Sequence, residues 1–81
     1  MQRAYLFIKV KEGKEAEIRD GIKKLPDTNI VTVDVVFGSV DVITYIEAES
    51  PEAIKSLVLN QIEKPFKDSI EETEILLVIE S

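Results

Sequence analysis

Residues 30–48 read IVTVDVVFGSVDVITYIEA, and this stretch decides the fold. Two runs rich in β-branched residues, 30–37 and 40–48, flank Gly38-Ser39, a glycine-led pair suited to a tight hairpin. The two strands are therefore expected to be antiparallel neighbours. Upstream, residues 3–10 (RAYLFIKV) alternate with a period of two. Ala4, Leu6, Ile8 and Val10 fall on one face and Tyr5, Phe7 and Lys9 on the other, as in a strand with distinct faces. Between residues 13 and 25 the period lengthens. Ile18, Ile22 and Leu25 recur at i, i+4 and i+7 among charged residues, which predicts an amphipathic helix ending before Pro26.

Downstream of the hairpin, Ser50-Pro51-Glu52 supplies an N-cap hydroxyl, a proline at the first helical position and a carboxylate at the positive helix end. Ile54, Leu57, Val58 and Ile62 give the second helix its apolar stripe, and Pro65 stops it. Residues 73–79 alternate again, with Thr73, Ile75, Leu77 and Ile79 opposed to Glu74, Leu76 and Val78. The order β-α-β-β-α-β predicts one α+β domain over residues 1–81, a ferredoxin-like sandwich of one antiparallel sheet and one helical layer, of the dimeric α/β-barrel type.

Composition narrows the function. A chain of 81 residues buries only a little over ~60% of its unfolded surface and usually needs a staple or a partner. With no Cys and no His, a disulfide, the usual zinc ligands and the Ser-His and Cys-His catalytic pairs are all excluded. Self-association is the reinforcement left. Ten Lys and Arg against 16 Asp and Glu, a net charge of −6, oppose binding to nucleic acid. No apolar run approaches the ~20 residues of a membrane span and no signal-peptide pattern opens the chain, so a cytoplasmic protein is expected. Abundant Lys, Glu and Ile lean toward a thermophile.

The face of the sheet turned away from the helices ought to be polar in a monomer. Here it collects Tyr5, Phe7, Val36, Ile43, Tyr45, Leu76 and Val78, with Lys9, Asp34, Asp41, Glu47, Glu74 and Glu80 toward the strand ends. An apolar centre inside a charged rim has the anatomy of an interface, and these seven residues are expected to form a homodimer contact. The competing reading is β-propensity alone, which serves single residues better than seven together.

Several segments resemble a known family across nearly the whole chain: AYLFIKVKEG, EAEIRDGIKKLP, VDVVFGSVDVI, LVLNQIEK and SIEETEILLVI. They are similar to the effector-binding domain of the Lrp/AsnC family of transcriptional regulators, the RAM domain. The hairpin looks like that family's V-x-G-x-Y/F-D pattern and the last segment like its G-V-x-x-T-x-T-x-I-V-L. Gly38, Asp41 and Thr73 match, whereas Val40, Ser69 and Ile75 replace an aromatic, a glycine and a second threonine. The family's helix-turn-helix has no counterpart ahead of the first strand, so the resemblance implies a stand-alone form.

The resemblance implies amino-acid binding at Gly38, Ser39, Asp41, Thr73 and Ile75, in a pocket between dimers of a larger ring, with full-length regulators as further partners. Each residue has a plainer reading. Gly38 suits a turn, Asp41 a solvated rim, and Thr73 a strand. Asp41 beside the turn is placed to bind an ammonium. Ile75 in place of threonine biases the effector toward apolar side chains. Glu71, Glu72 and Glu74 lack the spacing of a cation loop and read as a solvated edge, so neither metal nor cofactor is expected. Two rivals stand beside the non-enzymatic module. One is a small dimeric α/β-barrel enzyme, which would need general acid-base work from Asp, Glu or Tyr. The other is an ACT-like amino-acid-binding domain, which calls for a glycine-rich turn after the first strand where Gly13 alone is found.

Overall fold

The computed structural model describes residues 1–27 and 29–80. The order is β1 (Gln2–Val10), α1 (Glu15–Lys23), β2 (Ile30–Val35), β3 (Val42–Ala48), α2 (Pro51–Leu57) continued by π-helical turns over Val58–Glu63, and β4 (Ile70–Leu77). The strands form one antiparallel sheet in the order β2-β3-β1-β4, the ferredoxin-like arrangement expected. Among the described residues no helix is long and apolar enough to cross a membrane.

The core lies between the sheet and the helices. Ala4, Leu6, Ile8 and Val10 of β1 meet Val42, Ile46 and Ala48 of β3 beneath Ile18 and Ile22 of α1 and Ile54, Leu57, Val58 and Ile62 of the second helix. Burying each large aliphatic contributes ~1.5–3 kcal/mol, and this one layer supplies most of what holds the chain together. Every residue of the predicted second-helix stripe is buried. Ser50 caps that helix by accepting from the Ala53 N–H at 3.1 Å. The π-turns close with a bond from Lys64 N–H to the Leu59 carbonyl, five residues back.

Three boundaries differ from expectation. The first helix is shorter than residues 13–25 because Gly13, at φ +79°, turns the chain and Lys14 begins the helix without a side-chain cap. The hairpin is wider than two residues. Its last backbone bond runs from Val36 N–H to the Asp41 carbonyl, leaving Phe37, Gly38, Ser39 and Val40 as the loop. The last strand starts at Ile70 rather than Thr73. A register shift between Lys9 and Val10 skips Glu71, and this bulge hides the alternation of its first residues.

A second bulge in β2 passes over Val31, since Ile30 faces Ile46 while Thr32 faces Tyr45. The buried Thr44 hydroxyl fills the gap by donating to the Thr32 carbonyl. Ser69, the departure from the family glycine, is buried with its hydroxyl donating to Glu17, which ties α1 to the entrance of β4.

Gly21 sits on α1 where a Cβ would lie 2.5 Å from Cε1 of Phe66. Its lack of a side chain lets the Phe66 ring close against the core. Alanine improves helix propensity by roughly 0.5–1 kcal/mol, whereas displacing a packed ring costs about 1–3 kcal/mol. Gly21→Ala is therefore expected to destabilise the protein in denaturant titrations, and to become stabilising once Phe66 is replaced by Ala. Destabilisation of equal size in both backgrounds would show that the ring is not the obstacle.

Candidate functional site

The sheet has an open face whose residues fall into four rows across β2, β3, β1 and β4. Glu47 and Arg3 stand opposite each other at one end, next to Val78. Then come Thr32, Tyr45, Tyr5 and Leu76, followed by Asp34, Ile43, Phe7 and Glu74. At the other end lie Val36, Asp41, Lys9 and Glu72. The two middle rows place Tyr45, Tyr5, Ile43 and Phe7 at the centre of the face. The Tyr5 and Tyr45 rings pack at 5.1 Å between centroids, tilted by 42°, a favourable aromatic geometry. The Tyr45 hydroxyl donates to Glu47 at 3.4 Å on the rim. Tyr5 is 44% exposed and Leu76 39%, while Phe7, Ile43, Tyr45, Val36 and Val78 are half-buried. All seven residues predicted from sequence thus reach this one face.

The five predicted ligand residues do not converge within one protomer. Gly38 and Ser39 are exposed on the hairpin loop, with Gly38 at φ +157° and open space around it. Asp41 is tied to β1. Its carboxylate accepts the Val10 N–H at 2.9 Å, and its own N–H donates to the Ile8 carbonyl at 3.0 Å. It extends the sheet where the β1–β3 ladder ends. Thr73 and Ile75 lie on β4, the far edge strand, with β1 between them and Asp41, a separation of roughly 10 Å at ordinary strand spacing. Ile75 pairs with Leu6 and packs against the core, so its side chain serves stability before any ligand.

Thr73 shares the carboxyl end of β1 with the hairpin and donates its hydroxyl to Glu63 of the π-turns at 3.2 Å. Around this bond is a depression of about 250 Å³ lined by Glu63, Lys67, Ile70, Glu71, Glu72 and Thr73. Sequence reasoning passed over Glu63 and Lys67. The π-turns and the bulge at Glu71 bring them to Thr73, and neither device has a local periodic signature. A larger depression, about 370 Å³, lies between the end of α1 and the free edge of β2 and holds none of the predicted ligand residues. Asp27 on its lining accepts from the Asn29 N–H and from Gln61 of the π-turns. Among the described residues no group of three or more metal-ligating side chains gathers.

Neither a family model nor any curated protein sequence matches the chain. Solved structures do. The hypothetical protein PHS023 from Pyrococcus horikoshii superimposes with a TM-score of 0.83 at 22% identity, over 100% of this chain and 93% of that one. AsnC from E. coli gives 0.85 at 17% identity, over 99% of this chain and 52% of AsnC. The transcriptional regulator NMB0573 from Neisseria meningitidis, solved as its L-Met complex, gives 0.78 at 13% identity, over 99% of this chain and 51% of the regulator. The fold is therefore the one the sequence resemblance implies. The chain spans about half the length of the two regulators and nearly all of PHS023.

The role of Asp41 can be separated from any ligand. Asp41→Ala leaves the Val10 N–H without its acceptor and is expected to cost about 1–3 kcal/mol in the absence of any effector. Asp41→Asn keeps an acceptor oxygen and should restore most of that loss. If thermal melts of the two variants match, the carboxylate does not hold β1.

Proposed function

We propose that this chain is an effector-binding and oligomerisation module related to the Lrp/AsnC regulators, non-enzymatic and not itself DNA-binding. It works in the cytoplasm as a homodimer that assembles into a larger ring. The observation that carries the reading is the open sheet face, where Tyr5, Phe7, Ile43 and Tyr45 form an apolar centre inside a charged rim. Leaving such a patch to water is unfavourable, and a second copy covers it with the same patch through two-fold symmetry. The fold shared with AsnC, and with a regulator solved with L-Met, supports an amino acid as the effector.

The divided ligand set supports a site completed between copies. Gly38 and Ser39 project from the hairpin, while Thr73 stands near the opposite edge of the sheet. A neighbouring dimer would bring the hairpin of one protomer to β4 of another. An amino acid bridging them favours the assembly that holds it, which is a population shift driven by differential affinity. Partners of this reading are further copies of the chain and full-length regulators of the same fold. Against an enzyme stands the absence of His and Cys from the sequence, which leaves general acid-base work to Asp, Glu or Tyr alone.

Light scattering coupled to size exclusion is expected to give at least a dimer, and a multiple of dimers at higher concentration. Tyr45→Glu places a charge at the centre of the face and should drive the protein to monomer. A stable monomer of the unaltered protein at micromolar concentration overturns the sheet dimer. Melting curves against the twenty amino acids should show a rise for one or a few, since a ligand that binds only the native assembly stabilises it by mass action. Duplex DNA retained in a gel shift at physiological salt would contradict the non-DNA-binding role.

A further inference from the structure

We infer that the free edge of β2 is a self-pairing contact: β2 of a second copy lies antiparallel beside it, centred on Val35, and Phe37 of each copy enters a groove of the other. This rests on the oligomerisation reading and deepens it, by naming the contact that joins one sheet dimer to the next. β2 ends the sheet, with β3 on one side of it only. Val36 donates to the Asp41 carbonyl, so Asp34 and Val36 bond toward β3, and the backbone N–H and C=O groups of Val33 and Val35 point outward. Such a row pairs readily with another strand unless charge or proline blunts it. The opposite edge of the sheet is blunted, because β4 carries Glu71, Glu72 and Glu74. Residues 30–37 carry Asp34 alone, and Val31, Val35 and Phe37 among them are exposed.

The register follows from charge and from the shape of the edge. A two-fold axis at Asp34 sets two carboxylates face to face, which is destabilising. An axis at Val33 runs the pairing into the bulge at Val31 and leaves Phe37 beyond the start of the partner strand. An axis at Val35 sets Asp34 opposite Val36 of the second copy and Phe37 opposite its Val33. Val33 lines the groove of about 370 Å³ between α1 and β2, together with Ile22, Leu25, Ile30 and Val31. Phe37 is fully exposed in the protomer, and in this register the groove of the second copy receives it. The fit is reciprocal. A protruding aromatic and an apolar groove sit on one strand, each two residues from the axis, so one rotation satisfies both copies. A single strand pair is weak on its own. The contact therefore acts between sheet dimers, each of which offers two such edges.

The chain contains no cysteine, so a single introduced one reports on this contact. Cα atoms of a hydrogen-bonded antiparallel pair lie ~5.5 Å apart, within disulfide range. Under mild oxidation Val35→Cys is expected to give a covalent dimer roughly tenfold faster than Leu59→Cys, exposed on the π-turns, because the contact raises the effective concentration of one thiol at the other. Adding Phe37→Ala should slow that cross-link. In light scattering, Val35→Lys and Phe37→Ala should each hold the protein at the sheet dimer where the unaltered chain forms multiples of it. Each variant is checked for an unchanged far-UV spectrum. Larger assemblies that survive both variants, or an Asp34→Cys cross-link faster than that of Val35→Cys, overturn this contact and leave the sheet dimer standing. So does a dimer that never grows and that Tyr45→Glu alone dissolves. A monomer of the unaltered protein at every concentration removes the contact and the sheet dimer together.

Discussion

The central strand pair, β1 with β3, is apolar on both of its faces, and a chain of 81 residues has helices enough to cover only one of them. On the helix side Ala4, Leu6, Ile8, Val42 and Ile46 are sealed completely. On the other side Tyr5, Phe7, Ile43 and Tyr45 repeat the same register with no helix among the described residues above them. Neither face can be made polar without cost to the strands themselves, since aromatic and β-branched pairs across a ladder are what stabilise it. The open face is therefore the surface on which the proposed second copy would lie. The charged rows at both ends, Arg3 with Glu47 and Lys9 with Glu72, confine that surface to the middle. The result is an apolar patch bounded by charge at both ends.

What could be read from the sequence follows from the range of the interaction involved. The alternation of β1 and the stripe of Ile54, Leu57, Val58 and Ile62 are local periodicities, and both appear on the buried face as expected. The seven residues of the open face could be assigned for the same reason. Features that depend on distant partners were not legible. The hairpin opens wider than Gly38-Ser39 implies because Asp41 bonds to Val10, 31 residues away. Gly21 looks like an indifferent helix position until Phe66 is set against it. Ser69 reads as a mere departure from a family glycine until its hydroxyl is seen on Glu17, 52 residues away.

The candidate ligand site shows the same division. Thr73 could be picked out by its place in a motif, but its neighbours Glu63 and Lys67 arrive through a π-helical insertion that rotates the end of the second helix, and through a bulge that turns β4. Both devices add a residue against the prevailing period, so any pattern search tuned to 3.6 or 2 passes over them. Ile75 shows the other side of the same division. Its position in the motif carried a ligand role onto a side chain that the alternation of β4 directs into the core.

Glu72 joins the two halves of this account. It stands opposite Lys9 in the last row of the open face, and it also lines the depression around Thr73. A second copy lying on the open face removes water from that row and strengthens every charge interaction in it. A charged group bound in the depression would act beside the same carboxylate. On the proposed reading each event would change the field in which the other occurs, so the free energies of assembly and of ligand binding would be coupled. By linkage the coupling is reciprocal: a ligand that prefers the assembled state must favour assembly by the same factor. Such coupling would need no moving domain, because the one carboxylate of Glu72 belongs to both surfaces.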